Sequence, residues 1–453
     1  MQTPQARRTQ VFRLAMPAVS ELVLNTLVGL VDIVLVGQMS VATIAYLGYG
    51  TAPALAATGL AGEMFWTMSL LFMAIGTGCT ALVARATGAK DPDTANTALR
   101  QGLLMGLMSA VLMSIIAIGF AEAIMRVYRA ETLVSDLGAQ FIRILGYSFV
   151  PTAFMMIGMA SLRGAGDTRT PLLIMIVVNI VNVGLSYLLI GGAFGIAPLG
   201  VEGAAIGASV ARTVGGIITL ALLLRGRAGL WLRFQFQVQR DMIMRIVRVG
   251  WPFAGEQLVF QSALILFIGM INQLGTAAYA AHNLVIRIES LAFLPGWGYG
   301  IAASALVGQA LGAKRPDEAK AAAHEALTQT SVMMLVLGGV MVAFPEPLLT
   351  FFVNDPTVIA AGIIPLQIAG AFQIAMGANF VLSGALRGAG DTRWPLYTKV
   401  ISTWGLRLPI TYILLLSGFG LTGVWIAMGV DFCSQALLAY IRFRQGKWQT
   451  MQV

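Results

Sequence analysis

Long apolar runs bounded by charges or by Gly/Pro clusters recur along the whole chain. Twelve of them fall at about 13–37, 51–84, 95–120, 133–161, 170–192, 199–224, 242–271, 276–311, 320–344, 357–385, 394–417 and 420–442. Each is long enough to cross a hydrocarbon layer of about 30 Å as a helix rising about 1.5 Å per residue. Only short loops remain between them, so the pattern predicts an all-α polytopic membrane protein with twelve transmembrane helices.

Composition and charge sharpen this picture. Of 453 residues, 57% are apolar and 11% charged, and the mean hydropathy is +0.80. Soluble chains lie nearer roughly 45–50% and 25%. The bases sort onto alternate loops: Arg7, Arg8 and Arg13, then Arg85, Lys90 and Arg100, Arg163 and Arg169, Arg225 to Arg248, Lys314 to Lys320, Arg387 to Lys399, and Arg442 to Lys447. The opposite loops carry only Arg126 and Arg129. The positive-inside rule then puts both termini in the cytoplasm and makes the number of spans even. The same asymmetry accounts for the net charge of +9, which leaves no case for nucleic acid as a partner. The run from Leu14 to Val36 is too long for a signal peptide and reads as a retained first span. Cys79 and Cys433 lie in apolar stretches and read as small hydrophobes.

The chain also repeats itself. ALVARATGAKDPDTANTAL from Ala81 recurs as ALVGQALGAKRPDEAKAAAHEAL from Ala305, and LRGAGDTRTPL from Leu162 recurs as LRGAGDTRWPL from Leu386, both at one and the same offset. MPAVSE, with Pro17 and Glu21, matches WPFAGE, with Pro252 and Glu256, at a slightly longer one. A duplicated six-helix unit gives two parallel, pseudo-symmetric lobes. The expected division is an N-lobe at 1–224, a basic cytoplasmic linker at 225–241 and a C-lobe at 242–453. RGAGDT reads as a turn: its glycines permit a left-handed helix end, and Asp167 or Thr168 caps the helix that carries Pro171. It lacks the GxxxxGK[ST] spacing of a phosphate loop.

On these motifs, together with VDIVLVG around Asp32 and the stretch from Ala280 to Ala319, the chain resembles the multidrug and toxic compound extrusion (MATE) transporters, and most closely their DinF-like branch. The resemblance implies two six-helix lobes around a central cleft and efflux of organic, often cationic, compounds against inward H⁺ or Na⁺. That branch is associated with H⁺. The first-helix aspartate of the family falls on Asp32, and its fifth-helix Asn on Asn182. Ser186 stands where the family commonly has Asp, and Met376 where the sodium-coupled branch carries an acid, so a C-lobe sodium site of that kind is not expected.

Ionisable side chains at membrane depth are costly and default to function or mutual pairing. Counted from the helix ends, Glu63 and Arg212 share a depth, and the repeat places Arg287 and Asp431 near the equivalent positions with the signs exchanged. Two intra-lobe pairs are therefore expected, Glu63 with Arg212 and Arg287 with Asp431, and a looser third of Glu289 with Arg407. The residues left over carry the chemistry. Glu21, Asn25, Gly29 and Asp32 form one stripe of the first span, and Asn179, Asn182 and Ser186 one stripe of the fifth. Neither stripe can face lipid, so they are expected to meet around an internal cavity. There Asp32, with no cation at its depth in its own stripe, can exist in either charge state. Proton and cationic substrate would then exclude each other, which couples their movements.

Glu21, Glu256 and Glu289 are further candidates for gating or a second site. His282 has no second ligand and makes no metal site. Phe293, Trp297 and Tyr299 suit either cation–π contact or packing, and the 23 Met residues suit adaptable packing.

The expected function is a secondary multidrug antiporter of a bacterial or archaeal inner membrane. It would be monomeric and without a cofactor, and would export drug-like compounds against H⁺, with Na⁺ the less favoured ion. The alternative is a flippase for a lipid-linked oligosaccharide or lipid precursor. No nucleophile–base set supports an enzyme, and no Walker motif supports an ATP-driven pump.

Overall fold

The computed structural model describes residues 3–126, 131–192, 195–233 and 237–451. Arg129 and part of the proposed linker, 234–236, lie outside the described residues. Among the described residues eleven helices are long and apolar enough to cross a membrane, and a bent pair, Thr132–Gly146 with Phe149–Gly164, makes twelve when counted as one span. No extended strand occurs among them; the single β-bridge joins Arg227 to Leu230.

The duplication is visible helix by helix. Pro92–Gly119, the short helix Ala121–Arg126 and the start of Arg169–Gly191 recur as Pro316–Ala343, Pro345–Thr350 and Arg393–Leu416, each at the offset that relates the two RGAGDT copies. Local chemistry sets these ends. Asp91 caps Pro92–Gly119 by accepting from the Thr94 backbone N–H at 3.0 Å and its hydroxyl at 2.6 Å. Gly166 and Gly390, at φ 91° and 92°, supply the left-handed turn in the two RGAGDT copies. Asp167 then accepts from the Thr170 backbone N–H at 2.9 Å. Burial pushes the Asp167 carboxyl up, but Thr170 and the guanidinium of Arg227 outweigh it and hold the group below the usual carboxylate range.

Two spans depart from the straight helices the sequence predicts. The fourth bends by 61° at Tyr147 and Ser148. Pro151 explains the site, because it has no N–H to give the Tyr147 carbonyl and its ring crowds that oxygen. The Gly146 carbonyl, released at the same place, accepts from the Ser114 hydroxyl at 2.7 Å. The eleventh contains a π-helical stretch, Val400–Arg407. Pro409 follows it and removes the hydrogen bond to the Gly405 carbonyl, and the widened turn absorbs the loss.

The helices pack into two compact units. One comprises Ser20–Val83 and Asp91–Val247; the other comprises Met1–Val19, Ala84–Lys90 and Arg248–Val453. This division differs from the expected 1–224 and 242–453: Met1–Val19 and the internal segment Ala84–Lys90 group with the second repeat, and the first unit runs on to Val247. The reason is packing: Val11 and Ala15 are fully buried in one apolar cluster with Tyr299, Leu306 and Val307. The end of Thr51–Gly88 belongs to the same unit, where it crosses the end of Thr276–Gly312. A Cβ on Gly88 would overlap the Gln309 carbonyl, and a Cβ on Gly312 would overlap the Arg85 carbonyl. The repeat carries Arg85 onto Gln309 and Gly88 onto Gly312, so each contact is the copy of the other, which accounts for the repeated TGAK and LGAK.

Candidate functional site

The two polar stripes of the first unit meet. Asp32 is 4% exposed, and its Oδ1 accepts from the Ser186 hydroxyl at 2.8 Å and from Asn182 Nδ2 at 3.2 Å. Asn182 also donates to Ser186 at 3.3 Å, so the three side chains close a triangle. Among the described residues Oδ2 has no hydrogen-bond partner. One carboxylate oxygen is thus anchored while the other is open to a proton or cation. Asn179 lies apart from this triangle: its amide donates to the Leu24 and Met175 carbonyls at 3.0 and 2.8 Å and ties its helix to the first. Asn25 and Gly29 are exposed, and Val28 takes the inward position between Glu21 and Asp32. Gly29, three positions before Asp32, sits about 60° round the helix from it, so the stripe drifts out of the interior.

Ion pairing differs from the sequence expectation. Asp431, fully buried, pairs with Arg407 at 3.7 Å rather than with Arg287. Arg287 and Glu63 are exposed, and neither makes an ion pair among the described residues. Equal depth did not decide the matter because it leaves the rotational phase of a helix open. Arg287 and Glu289, two positions apart, point to roughly opposite sides of their helix, and Glu289 is the one that faces inward. Arg212 accordingly lacks Glu63. Its guanidinium lies 4.2 Å over the Phe65 ring, and it acts electrostatically on Asp32, which therefore does have a cation in range. The expected proximity of Glu289 to Arg407 is electrostatic and without a direct bond.

Four further pairs were not foreseen. Arg163 meets Glu21 at 2.6 Å in one unit, and Arg387 meets Glu256 at 2.6 Å in the other. The arginine of each LRGAGDT copy thus reaches the glutamate that follows each helix proline. The aspartate of each copy holds a second arginine, Arg227 at 3.1 Å from Asp167 and Arg442 at 2.6 Å from Asp391. The motif is more than a turn: each copy ties two helices to a third segment, the stretch just after Val201–Arg225 in one case and the helix Gly420–Arg444 in the other. The sequence held a signal for this, since an acid and a base recur together in both halves. Glu21 and Glu256 are therefore engaged in these braces.

The second unit has its own polar interior. Asp431 accepts from Gln435 at 2.7 Å and from Thr403 at 3.4 Å, and Gln435 in turn accepts from Asn379 at 3.1 Å. Thr403 and Arg407 both lie in the π-helical stretch, which brings them to Asp431 together. The Arg407 guanidinium lies 3.9 Å over Phe267, much as Arg212 lies over Phe65. His282 packs between the Phe267 and Trp425 rings, and no metal-binding group of side chains occurs among the described residues. Tyr299 is core, donating to Gln329 at 3.2 Å, whereas Phe293 and Trp297 cluster with Phe380.

Comparison with known proteins agrees with this architecture. Over 462 aligned residues the chain is 29% identical to a probable multidrug resistance protein NorM of Thermotoga maritima, covering 100% of this chain and 95% of that protein. It is also 29% identical to the multidrug resistance protein NorM of Burkholderia vietnamiensis, over 89% of each chain. Among solved structures, an outward-facing multidrug resistance MATE family transporter superposes with a TM-score of 0.88 at 22% identity, covering 97% of this chain and 95% of that one. The MatE family model matches residues 17–188 and 252–413, beginning at the paired prolines of the two halves. A match of that extent, on a chain built from two copies of one six-helix unit, places the protein in the MatE family of membrane transporters.

Proposed function

We propose that the protein is a secondary antiporter that exports organic cationic or amphiphilic compounds across a bacterial or archaeal inner membrane in exchange for inward H⁺, as a monomer with both termini cytoplasmic. Asp32 carries the proton. The reading rests on one observation: the Asp32 carboxyl is fixed through Oδ1 by Ser186 and Asn182 while Oδ2 has no partner among the described residues. A carboxylate held in that way binds either a proton or an ammonium group, and occupancy by one opposes the other. Two transporters similar over nearly their whole length are named for multidrug resistance. Met376 leaves the second unit without a carboxyl in that part of its tenth span, which favours H⁺ over Na⁺.

The test is uptake of a fluorescent organic cation into proteoliposomes under an imposed pH gradient, a sodium gradient, or neither. Accumulation driven by the pH gradient alone is expected; accumulation driven only by sodium would overturn the ion assignment.

A further inference from the structure

Among the described residues, Arg212 is a charged group in the interior of the first unit that neither the fold nor proton exchange accounts for. Its Nη1 is buried and unbonded, and no acid lies within ion-pair distance of it among the described residues. A guanidinium with a buried and unbonded N–H is expensive, since it stays charged and that N–H has given up water. What holds it is a platform of rings. Arg212 lies 4.2 Å over Phe65, which stacks on Phe149 at 5.5 Å and 3°, and Phe149 meets the edge of Phe72 at 6.0 Å. The platform fixes the plane of the guanidinium without using its donors. Asp32 is within electrostatic range, but its anchored oxygen is taken by Ser186 and Asn182.

The interior of this unit therefore offers two unfilled groups of opposite sign: a carboxylate oxygen on the first helix and a guanidinium N–H on Val201–Arg225. A simple cation would satisfy Asp32 and be repelled by Arg212. A molecule with an ammonium or iminium at one end and a carboxylate at the other satisfies both, and the planar fork of an arginine suits a carboxylate. We propose that Arg212 is a specificity-determining residue that binds the carboxylate of a zwitterionic substrate whose cationic end is held by Asp32. This rests on the reading of Asp32 as the cation-binding group.

The test is equilibrium binding to the purified full-length protein, without gradients, followed by fluorescence anisotropy. The probes are rhodamine B, a xanthylium cation with a free benzoate, and its ethyl ester, which keeps the cation and lacks the anion. The wild type should prefer rhodamine B by roughly tenfold or more, as expected for a charged hydrogen bond. Arg212→Gln should bring that ratio to about one, and Arg212→Lys, which keeps the charge without the fork, should retain a reduced preference.

A wild type that binds the ester as tightly as the acid overturns the proposal, as does an Arg212→Gln protein with the wild-type ratio. The latter includes the case in which both dyes weaken together, because Arg212 would then serve only as counter-ion to Asp32. If Arg212→Gln fails to fold, the wild-type ratio and Arg212→Lys decide. Asp32→Asn separates the two readings: it should weaken both dyes in common. Loss of neither would count against Asp32 while the dye ratio still reports on Arg212.

Discussion

At the scale of single residues, the chain uses its few charges in two ways. Glu21 and Arg163, with side chains 8% and 16% exposed, form one brace, and Glu256 with Arg387 the other. Removing one member of a buried pair strands the other, whereas replacing both with apolar groups of similar size is often neutral. Arg163→Met is therefore expected to cost about 3–5 kcal/mol. The double variant Glu21→Leu, Arg163→Met should recover most of that loss, and thermal unfolding of the purified protein would read the difference. Equal losses in the single and double variants would show that the pair contributes through more than its charge. The sequence disclosed neither which acids and bases were buried nor which of them met: it buried Glu63 and Arg287, which are exposed, and set Arg163 and Arg387 in loops. Partner choice depends on helix phase, and an error of one or two positions swings a side chain onto another face. Asp32 with Asn182 and Ser186 was legible because three polar residues on two helices left little freedom. Arg407 with Asp431 was not, because a π-helical stretch resets the phase of the eleventh span.

At the scale of elements, glycine and proline account for most of what the apolar pattern leaves out. Span positions follow from hydropathy, which is blind to a 61° bend or to a close crossing. The bend at Tyr147 follows from Pro151, and the π-helical stretch from Pro409. The glycines divide into those that a neighbour's backbone requires and those that nothing requires. Gly312 faces the Arg85 carbonyl at a separation no Cβ tolerates, while a Cβ on Gly59 would meet nothing within 4 Å. Gly312→Ala should destabilise by about 1–3 kcal/mol, as overpacking does. Gly59→Ala should be neutral or stabilising by up to about 1 kcal/mol, since alanine is the better helix former. Melting temperatures of the two variants compare these directly, and a Gly59→Ala loss as large as that of Gly312→Ala would refute the packing account.

At the scale of the whole molecule, duplication is the organising fact. A single offset relates helices, short connecting helices, close glycine crossings and the arginine–aspartate motifs of the two braces. The apolar runs made the twelve spans legible in the sequence, and the repeat divided them into two six-helix copies. The grouping of Met1–Val19 with the second unit escaped it, since a sequence repeat marks where a copy begins and not what its first helix packs against.

The duplication stops at the chemistry. Among the described residues, the first unit holds a half-free carboxylate, Asp32, within electrostatic range of a half-free guanidinium, Arg212; the second closes Asp431 within a bonded network and keeps Glu289 buried without a direct bond. On the proposed reading, coupling belongs to the first unit, through Asp32. The central claim is therefore tested most directly by substrate-driven proton movement in proteoliposomes, recorded with an internal pH dye, for the wild type against Asp32→Asn. The account predicts a pH change on adding substrate in the wild type, with or without sodium, and its loss in Asp32→Asn while the protein remains folded. A variant that exchanges protons for substrate as well as the wild type does would contradict it.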